Sequence, residues 1–175
     1  METHHVRIKM TFYSIYPSPL GSITLTSDGI ALTGLFFEGE TDTSGIVPKA
    51  LDVFCDVKTW LDSYFVGKDL PITFPIKFAV GTPFAITVWQ LLREIPYGKT
   101  ISYKELAKKV ACKLGVERMS AQAVGNAVGK NPISIIVPCH RVIGSNGKLV
   151  GYRGGLDKKE YLLRLEQNIQ KEVTI

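Results

Sequence analysis

The sequence predicts an α+β fold, in which a small antiparallel sheet and one helix precede a mostly helical part. Short runs in the first part of the chain are separated by turn residues and are rich in β-branched and aromatic residues. In the second half, apolar residues recur at helical spacing. Between the two lies the stretch from Gly67 to Pro83 with three prolines, which predicts a linker with at most one strand. We therefore expect domains at 1–80, including a candidate disordered leader at 1–9, and at 81–175.

The first part predicts a three-stranded meander followed by a helix. The pair Asp28-Gly29 is typical of a tight hairpin. The segment from Pro17 to Gly21 is typical of a turn and precedes that hairpin. Apolar residues at helical spacing then run from Pro48 to Phe65, and Pro48 suits the first turn of a helix. The predicted strands cover 12–16, 22–26 and 31–37.

Four helices are predicted in the second half. Ser102 and Glu105 have the spacing of a capping box, and Ser120 can cap the helix from Ala121 to Gly129. These two helices form a helix-turn-helix candidate with a connection longer than usual. The β-branched run Ile133 to Val137 predicts a buried strand. The helices cover 82–94, 102–110, 121–129 and 157–167.

The composition of the chain argues against several classes of protein. The sequence contains no run of 18 apolar residues and therefore predicts no transmembrane helix. The N-terminus has no apolar signal-peptide core. The net charge of +5 favours a polyanionic partner, although this signal is weak alone. Three widely spaced cysteines (Cys55, Cys112 and Cys139) imply no disulfide framework and no zinc site. Free thiols without a signal peptide predict a cytoplasmic protein.

Cys139 is the first candidate functional residue. It follows Pro138 and precedes His140 and Arg141, and neighbouring cations favour the nucleophilic thiolate. The alternative is a buried structural cysteine, which these residues alone slightly favour. A Cys-His pair on a strand would also point to opposite faces, so a catalytic pair would require a turn.

The helix from Ala121 to Gly129 is the second unusual feature, because it is built almost entirely from small residues. A glycine costs a helix about 1 kcal/mol relative to alanine, so its two glycines need a reason. Two explanations account for these glycines equally well. One is close approach to a rigid partner such as a DNA groove, and the other is tight packing between helices.

The segment from Asn131 to Gly144, with Pro138-Cys139-His140-Arg141-Val142 at its centre, resembles the active-site signature of the methylated-DNA–protein-cysteine methyltransferases, also called alkylguanine-DNA alkyltransferases. The resemblance extends over the whole second half, through the segments 101–103, 123–125, 151–155 and 163–166. It implies a ribonuclease H-like first domain and a winged-helix-like second domain.

The family resemblance implies DNA repair by a suicide enzyme. A methyl or larger alkyl group would pass from the exocyclic oxygen of 6-O-alkylguanine in double-stranded DNA to an internal cysteine, once per molecule. No cofactor, metal or membrane is implied, and we expect a monomer. Cys139 would accept the alkyl group, and His140 would deprotonate it through a water. Glu166 would orient His140 and balance its charge, Tyr103 would protonate the departing guanine, and Asn131 would hold the adjacent turn.

The resemblance also implies a set of DNA-binding residues. The target base must leave the stack, so Tyr152 and the glycine-rich loop would form the walls of its pocket. Arg141 is expected to have a structural or electrostatic role within this set. The family usually has an arginine before Ala-Val-Gly, where this chain has Gln122, and this difference concerns base extrusion rather than transfer. The set is Ala121, Gln122, Ala123, Gly125, Asn126, Lys130, Arg141, Tyr152, Arg153 and Gly154.

Three alternatives remain at the level of sequence. A non-catalytic protein that recognises alkylguanine would lack the acceptor cysteine, so Cys139 argues against it. A helix-turn-helix module without enzymatic activity would bind DNA but accept no alkyl group. A cysteine hydrolase is disfavoured because no oxyanion-hole motif is visible. The longer segment 111–119 also departs from the family pattern, and Cys112 within it is expected to be incidental.

Overall fold

The computed structural model describes the backbone of residues 10–172 and the side chains up to residue 167. The predicted leader at 1–9 lies outside the described residues. The order of elements is a sheet, one helix, a proline-containing segment and then four helices. The α+β class predicted from the sequence is confirmed.

The first sheet is mixed rather than purely antiparallel. β1 (Phe12–Ser18), β2 (Gly21–Ser27) and β3 (Leu32–Phe37) form the predicted meander. β4 (Val47–Pro48) pairs in parallel with β1, so the strand order is β3-β2-β1-β4. The prediction that Pro48 lies in a helix is therefore wrong. A proline has no N–H to donate and is tolerated in an edge strand, which is where Pro48 lies.

One helix from the first part covers the sheet. α1 (Asp52–Phe65) begins four residues later than predicted. Val53, Phe54, Val57, Leu61 and Tyr64 form its buried face. The segment after it forms no strand within the described residues. It contributes one isolated bridge to β3, in which Leu32 donates to Pro75 O and accepts from Lys77 N.

Among the described residues, the second half contains four α-helices, as predicted. α2 (Pro83–Leu92) is capped by Thr82, and α3 (Tyr103–Leu114) starts with the predicted capping box. α3 continues four residues beyond the predicted end and stops at Gly115, whose φ of 68° lies in the left-handed region. The last two helices are α4 (Ala121–Gly129) and α5 (Leu156–Glu172). A short parallel pair, β5 (Ile101–Ser102) with β6 (Val142–Ile143), joins the start of α3 to the segment that follows Cys139.

The run Ile133 to Val137 is buried but is not a strand, so that prediction is wrong. Only Ile133 bridges to β3, and the backbone then reverses, with Val137 N donating to Ile133 O at 2.9 Å. Ile135 has a φ of 68°, which is unfavourable for a β-branched residue. The run of β-branched residues correctly indicated a buried segment. Such a run occurs in buried strands and in buried turns, so it cannot distinguish the two.

Among residues 10–172, no helix is both long and apolar enough to cross a membrane.

Candidate active site

Cys139 and His140 lie on a single turn of 3₁₀ helix. This turn spans Cys139–Arg141 and follows Pro138. Cys139 is 6% exposed, and His140 is fully buried. A 3₁₀ helix rotates by a third of a turn per residue, so neighbouring side chains do not face opposite ways as they do on a strand. The turn directs Cys139 into a cavity while His140 contacts α5.

The cavity that contains Cys139 is enclosed by α3, α4 and two loops. Its volume is about 240 Å³, below the range usual for sites that take drug-sized ligands. Tyr103 contributes from the start of α3, and Gly125 and Gly129 from α4. The remaining lining residues are Val128, Asn131, Ser134, Gly151, Tyr152 and Arg153. The size suits one flat group, and on α4 the two glycines add no side chain to the wall beside that of Val128.

Glu166 on α5 accepts hydrogen bonds from several donors. His140 Nε2 and the Tyr64 hydroxyl each lie 2.7 Å from its Oε1. Arg141 donates from Nε to Oε2 at 2.9 Å and from Nη2 to Oε1 at 3.0 Å. The backbone N–H of Gly98 completes the set at 3.2 Å. Because Nε2 of His140 faces a carboxylate, we assign the proton of the neutral imidazole to Nε2. Nδ1 then carries the lone pair.

The charges of this cluster follow from burial and from Arg141. Burial opposes ionisation of Glu166, but His140 and Arg141 outweigh it and hold the carboxyl pKa well below its usual range. Burial lowers the pKa of His140, although Glu166 acts in the opposite direction. We therefore describe His140 as neutral and Glu166 as ionised, with the Arg141 guanidinium as the counter-charge. Nδ1 of His140 is buried and bonds to no described group, so it is the available base.

The Cys139 thiol is protonated at rest. Burial raises its pKa, and hydrogen bonding from Asn131 and the charge of Lys159 only partly oppose this. Asn131 also fixes the loop beneath the thiol, because its Nδ2 donates to Val137 O at 2.7 Å and its Oδ1 accepts from Ile133 N at 3.0 Å. A thiol in this state requires a base before it can act as a nucleophile.

Tyr103 and Lys159 share a backbone acceptor at the edge of the cavity. The Tyr103 hydroxyl donates to Val150 O at 3.2 Å, and Lys159 Nζ donates to the same oxygen at 3.0 Å. Burial, and to a lesser degree Cys139, raises the pKa of Tyr103, so its phenol keeps its proton at neutral pH. Burial lowers the pKa of Lys159 to about 8, and Cys139 opposes this shift.

Most of the predicted DNA-binding residues of α4 lie on its accessible side. Ala121, Gln122 and Asn126 are exposed, as is Lys130 directly after the helix, and Ala123 and Gly125 are half-buried. Arg153, also exposed, donates to Glu40 O at 3.0 Å. Tyr152 lines the cavity.

Two residues of that set are placed differently. Arg141 is buried against Glu166 and Ile95 O, so its inclusion among DNA-contacting residues is corrected. Its guanidinium donates to Glu166 from Nε and Nη2 and to Ile95 O from Nη1. Gly154 packs against the first part of the chain, since a Cβ at this position would lie 2.7 Å from the Phe37 ring. Its small size is therefore required by packing.

The sequence analysis did not identify Tyr64 or Lys159 as site residues. Tyr64 lies in α1, far from the signature in sequence, and its spacing is that of an ordinary core residue. Lys159 did carry a signal, because helical spacing places it on the same inward face of α5 as Leu162 and Glu166. A charged residue on such a face is unusual and marks a functional or structural site.

Two family models match the chain. The model described as "6-O-methylguanine DNA methyltransferase, ribonuclease-like domain" matches residues 11–78, and the model described as "6-O-methylguanine DNA methyltransferase, DNA binding domain" matches residues 83–168. The methylated-DNA–protein-cysteine methyltransferase of Methanosarcina acetivorans is 43% identical over 89% of this chain and 97% of its own length.

Solved structures agree with these matches. The O6-methylguanine methyltransferase of Mycobacterium tuberculosis is 40% identical, with a TM-score of 0.80 over 91% of this chain and 94% of its own. A Mycobacterium tuberculosis relative solved in complex with DNA also has a TM-score of 0.80 at 40% identity, covering 90% of this chain and 93% of its own. The chain belongs to the methylated-DNA–protein-cysteine methyltransferase family.

Proposed function

We propose that this protein repairs alkylated DNA by transferring the alkyl group of 6-O-alkylguanine to Cys139, once per molecule. The observation that carries the proposal is the position of Cys139. Its thiol lines a small cavity, and the adjacent His140 is hydrogen-bonded to a buried, ionised Glu166. This arrangement matches the logic of an activated nucleophile, in which a third group orients the base. The relatives named for this activity support the same conclusion.

The proposed chemistry begins at the thiol. His140 Nδ1 accepts the Cys139 proton through a bridging water, and the sulfur attacks the alkyl carbon. The new S–C bond forms as the C–O bond to guanine breaks, and the electron pair of that bond leaves with the guanine. Glu166 stabilises the positive charge on His140, and Arg141 fixes the carboxylate for this role.

Tyr103 is the proposed donor to the departing guanine. Its hydroxyl lies at the edge of the cavity and retains its proton at neutral pH. Transfer of this proton neutralises the leaving group, and the proton held by His140 can later restore the phenol. Asn131 is a positioning residue, since it holds the turn that presents Cys139.

DNA is engaged by α4 in this proposal. Its exposed side combines Gln122 and Asn126 with small residues, which allow close approach to a groove, and its two glycines line the Cys139 cavity. The minor groove offers a degenerate pattern, which suits repair in any sequence context. The alkylated oxygen is inaccessible within the stack, so the nucleotide must rotate into the cavity. Gln122, in the first turn of α4, would occupy the vacated position.

We also propose that the chain divides into two domains near residue 80 and acts in the cytoplasm. The proline-containing segment after α1 supports the division. A transferable alkyl group requires a reduced acceptor thiol, and the cytoplasm keeps thiols reduced.

A comparison of wild-type protein with the Cys139→Ala variant tests the function. Both proteins are incubated with duplex DNA carrying one 6-O-methylguanine, and methyl loss from DNA is measured beside the affinity. We expect the variant to bind DNA but to remove no methyl group, because phosphate and groove contacts carry affinity. Demethylation by the variant, or none by the wild type, would contradict the proposal.

A further inference from the structure

One wall of the Cys139 cavity is a loop that is attached to the first part of the chain. The other walls are formed by α3, by α4 and by the buried segment that leads to Cys139. The loop runs from Gly151 to Gly155, and none of its residues belongs to a helix or a strand. Gly151 and Arg153 are exposed. The loop is therefore the wall that can move most readily to admit a larger ligand.

Three residues at the end of β3 and directly after it hold this loop in place. The Tyr152 ring packs edge-on against the ring of Phe37, with the ring centres 6.2 Å apart. The Arg153 guanidinium lies 5.7 Å from the centre of the Phe36 ring, and its Nη2 donates to Glu40 O at 3.0 Å. Both side chains that the loop contributes to the cavity are therefore attached to the first part of the chain.

The Glu40 side chain is only 9% exposed and has two functions in this contact. Its Oε2 accepts from Phe37 N at 2.8 Å, which fixes the turn that presents Glu40 O to Arg153. Its Oε1 is buried and forms no hydrogen bond with a described group. Arg153 Nε lies 3.9 Å from this oxygen and is the cation that pairs with it among the described residues. A buried carboxylate is costly unless a cation offsets its charge, so Glu40 holds Arg153 at the rim of the cavity.

From these contacts we infer that Glu40 is a positioning residue that, through Arg153, limits the Cys139 cavity to small alkyl groups. The inference rests on the proposed function and narrows the class of its substrate. The cavity of about 240 Å³ must contain both the guanine base and its alkyl group. An alkyl chain longer than methyl needs space that Arg153 must vacate, and Arg153 can leave only by giving up its contacts with Glu40.

The test measures the ratio of the second-order rate constants for transfer from 6-O-butylguanine and from 6-O-methylguanine in the same duplex. Both lesions meet the same protein and the same flanking DNA, so a loss of stability or of DNA affinity cancels in this ratio. The variants are Glu40→Gln, Arg153→Ala and the double variant that combines them. Glu38→Gln is the matched control, because Glu38 is an exposed carboxylate two residues away that forms no ion pair with a described residue.

We expect Arg153→Ala to raise the butyl-to-methyl ratio by about three- to ten-fold, the range that corresponds to the loss of one hydrogen bond. Glu40→Gln keeps an acceptor for Phe37 N but removes the charge, so it should raise the ratio by about two- to five-fold, as for a partly exposed ion pair. The double variant should match Arg153→Ala, because Glu40 acts through Arg153. Glu38→Gln should keep the wild-type ratio.

Three results would overturn the inference. They are an unchanged ratio in Glu40→Gln or in Arg153→Ala, an equal rise in Glu38→Gln, and a double variant in which the effects of the two changes multiply. A wild-type protein that removes neither alkyl group would instead contradict the proposed function.

Discussion

Arg141 holds Glu166 with two nitrogens, at 2.9 Å from Nε to Oε2 and 3.0 Å from Nη2 to Oε1. This two-point contact fixes the plane of the carboxylate. His140 donates to the same carboxylate at 2.7 Å. The charge of Glu166 is therefore already balanced before His140 gains a proton, and the carboxylate remains ionised within a buried site.

Replacing Glu166 with glutamine should slow alkyl transfer by about 10²-fold or more, the range typical when acid–base catalysis is removed, while DNA affinity changes little. The amide cannot balance a positive His140, so removal of the Cys139 proton becomes harder. The matched control is Tyr64→Phe, which removes one donor to the carboxylate but keeps its charge. Single-turnover rates and dissociation constants are measured for both variants. Equal losses of rate and affinity in Glu166→Gln would indicate a packing role.

Stability should fall on acidification in two stages. His140 has a folded pKa below its ordinary value of 6.5, and Glu166 has one below its ordinary value of 4.5. In each case the unfolded chain binds protons first, so the free energy of unfolding rises with pH in that window. Denaturant unfolding should therefore show a loss beginning below pH 6.5 and a further loss below pH 4.5. The His140→Gln variant should lack the first stage, and a wild-type stability that is flat between pH 7 and pH 5 would contradict a neutral His140.

Gly154→Ala should destabilise the fold by about 1–3 kcal/mol, the usual cost of overpacking. The added methyl would lie 2.7 Å from the Phe37 ring and 3.2 Å from the Tyr152 ring, so the loop that carries Tyr152 must move. Gly129→Ala is the control, since a Cβ there meets no described atom within 4 Å. In α4 the control should gain stability, by up to about 1 kcal/mol. The melting temperatures of both variants are measured by thermal unfolding. An unchanged melting temperature for Gly154→Ala would show that packing against Phe37 does not require a glycine at this position.

Gln122→Arg should strengthen binding to alkylated duplex DNA by about two- to five-fold, which corresponds to a cation–π gain of 0.5–1 kcal/mol. Gln122 is exposed in the first turn of α4, where a planar guanidinium could stack in the space that the extruded base leaves. Gln122→Lys serves as the control because it adds the charge without the planar group. If binding or transfer became weaker in Gln122→Arg, Gln122 would be adapted to this site.

Local patterns predicted much of the fold. The meander was expected from Asp28-Gly29 and its flanking runs, and α4 was predicted to the residue because Ser120 caps it. The errors occurred where long-range contacts decide the structure. Pro48 pairs with β1, an edge that only the folded sheet provides. The β-branched residues between Ile133 and Val137 indicate a buried segment, and burial is what the structure shows. The turn at Ile135 has no signature in the local sequence that would have predicted it.

The site was predictable only in part. The signature indicated Cys139 and His140, but their cooperation depends on a 3₁₀ turn that a strand assignment could not provide. Tyr64 reaches Glu166 from α1 through the tertiary fold alone. The resemblance placed Arg141 in the DNA-binding set with a structural or electrostatic role, but its buried partner Glu166 is distant in the chain.

The central claim is that Cys139 itself accepts the alkyl group and is not regenerated. An S-alkyl cysteine is a stable thioether, and the proposed mechanism includes no step that removes the group. The most direct measurement is intact mass, with peptide mapping, after incubation with an excess of DNA carrying 6-O-methylguanine, together with the amount of DNA repaired per protein. We predict one methyl group per molecule, located on Cys139, and one lesion repaired per protein with no further turnover. Many lesions repaired per molecule, or a methyl group on Cys55 or Cys112 instead, would contradict the account.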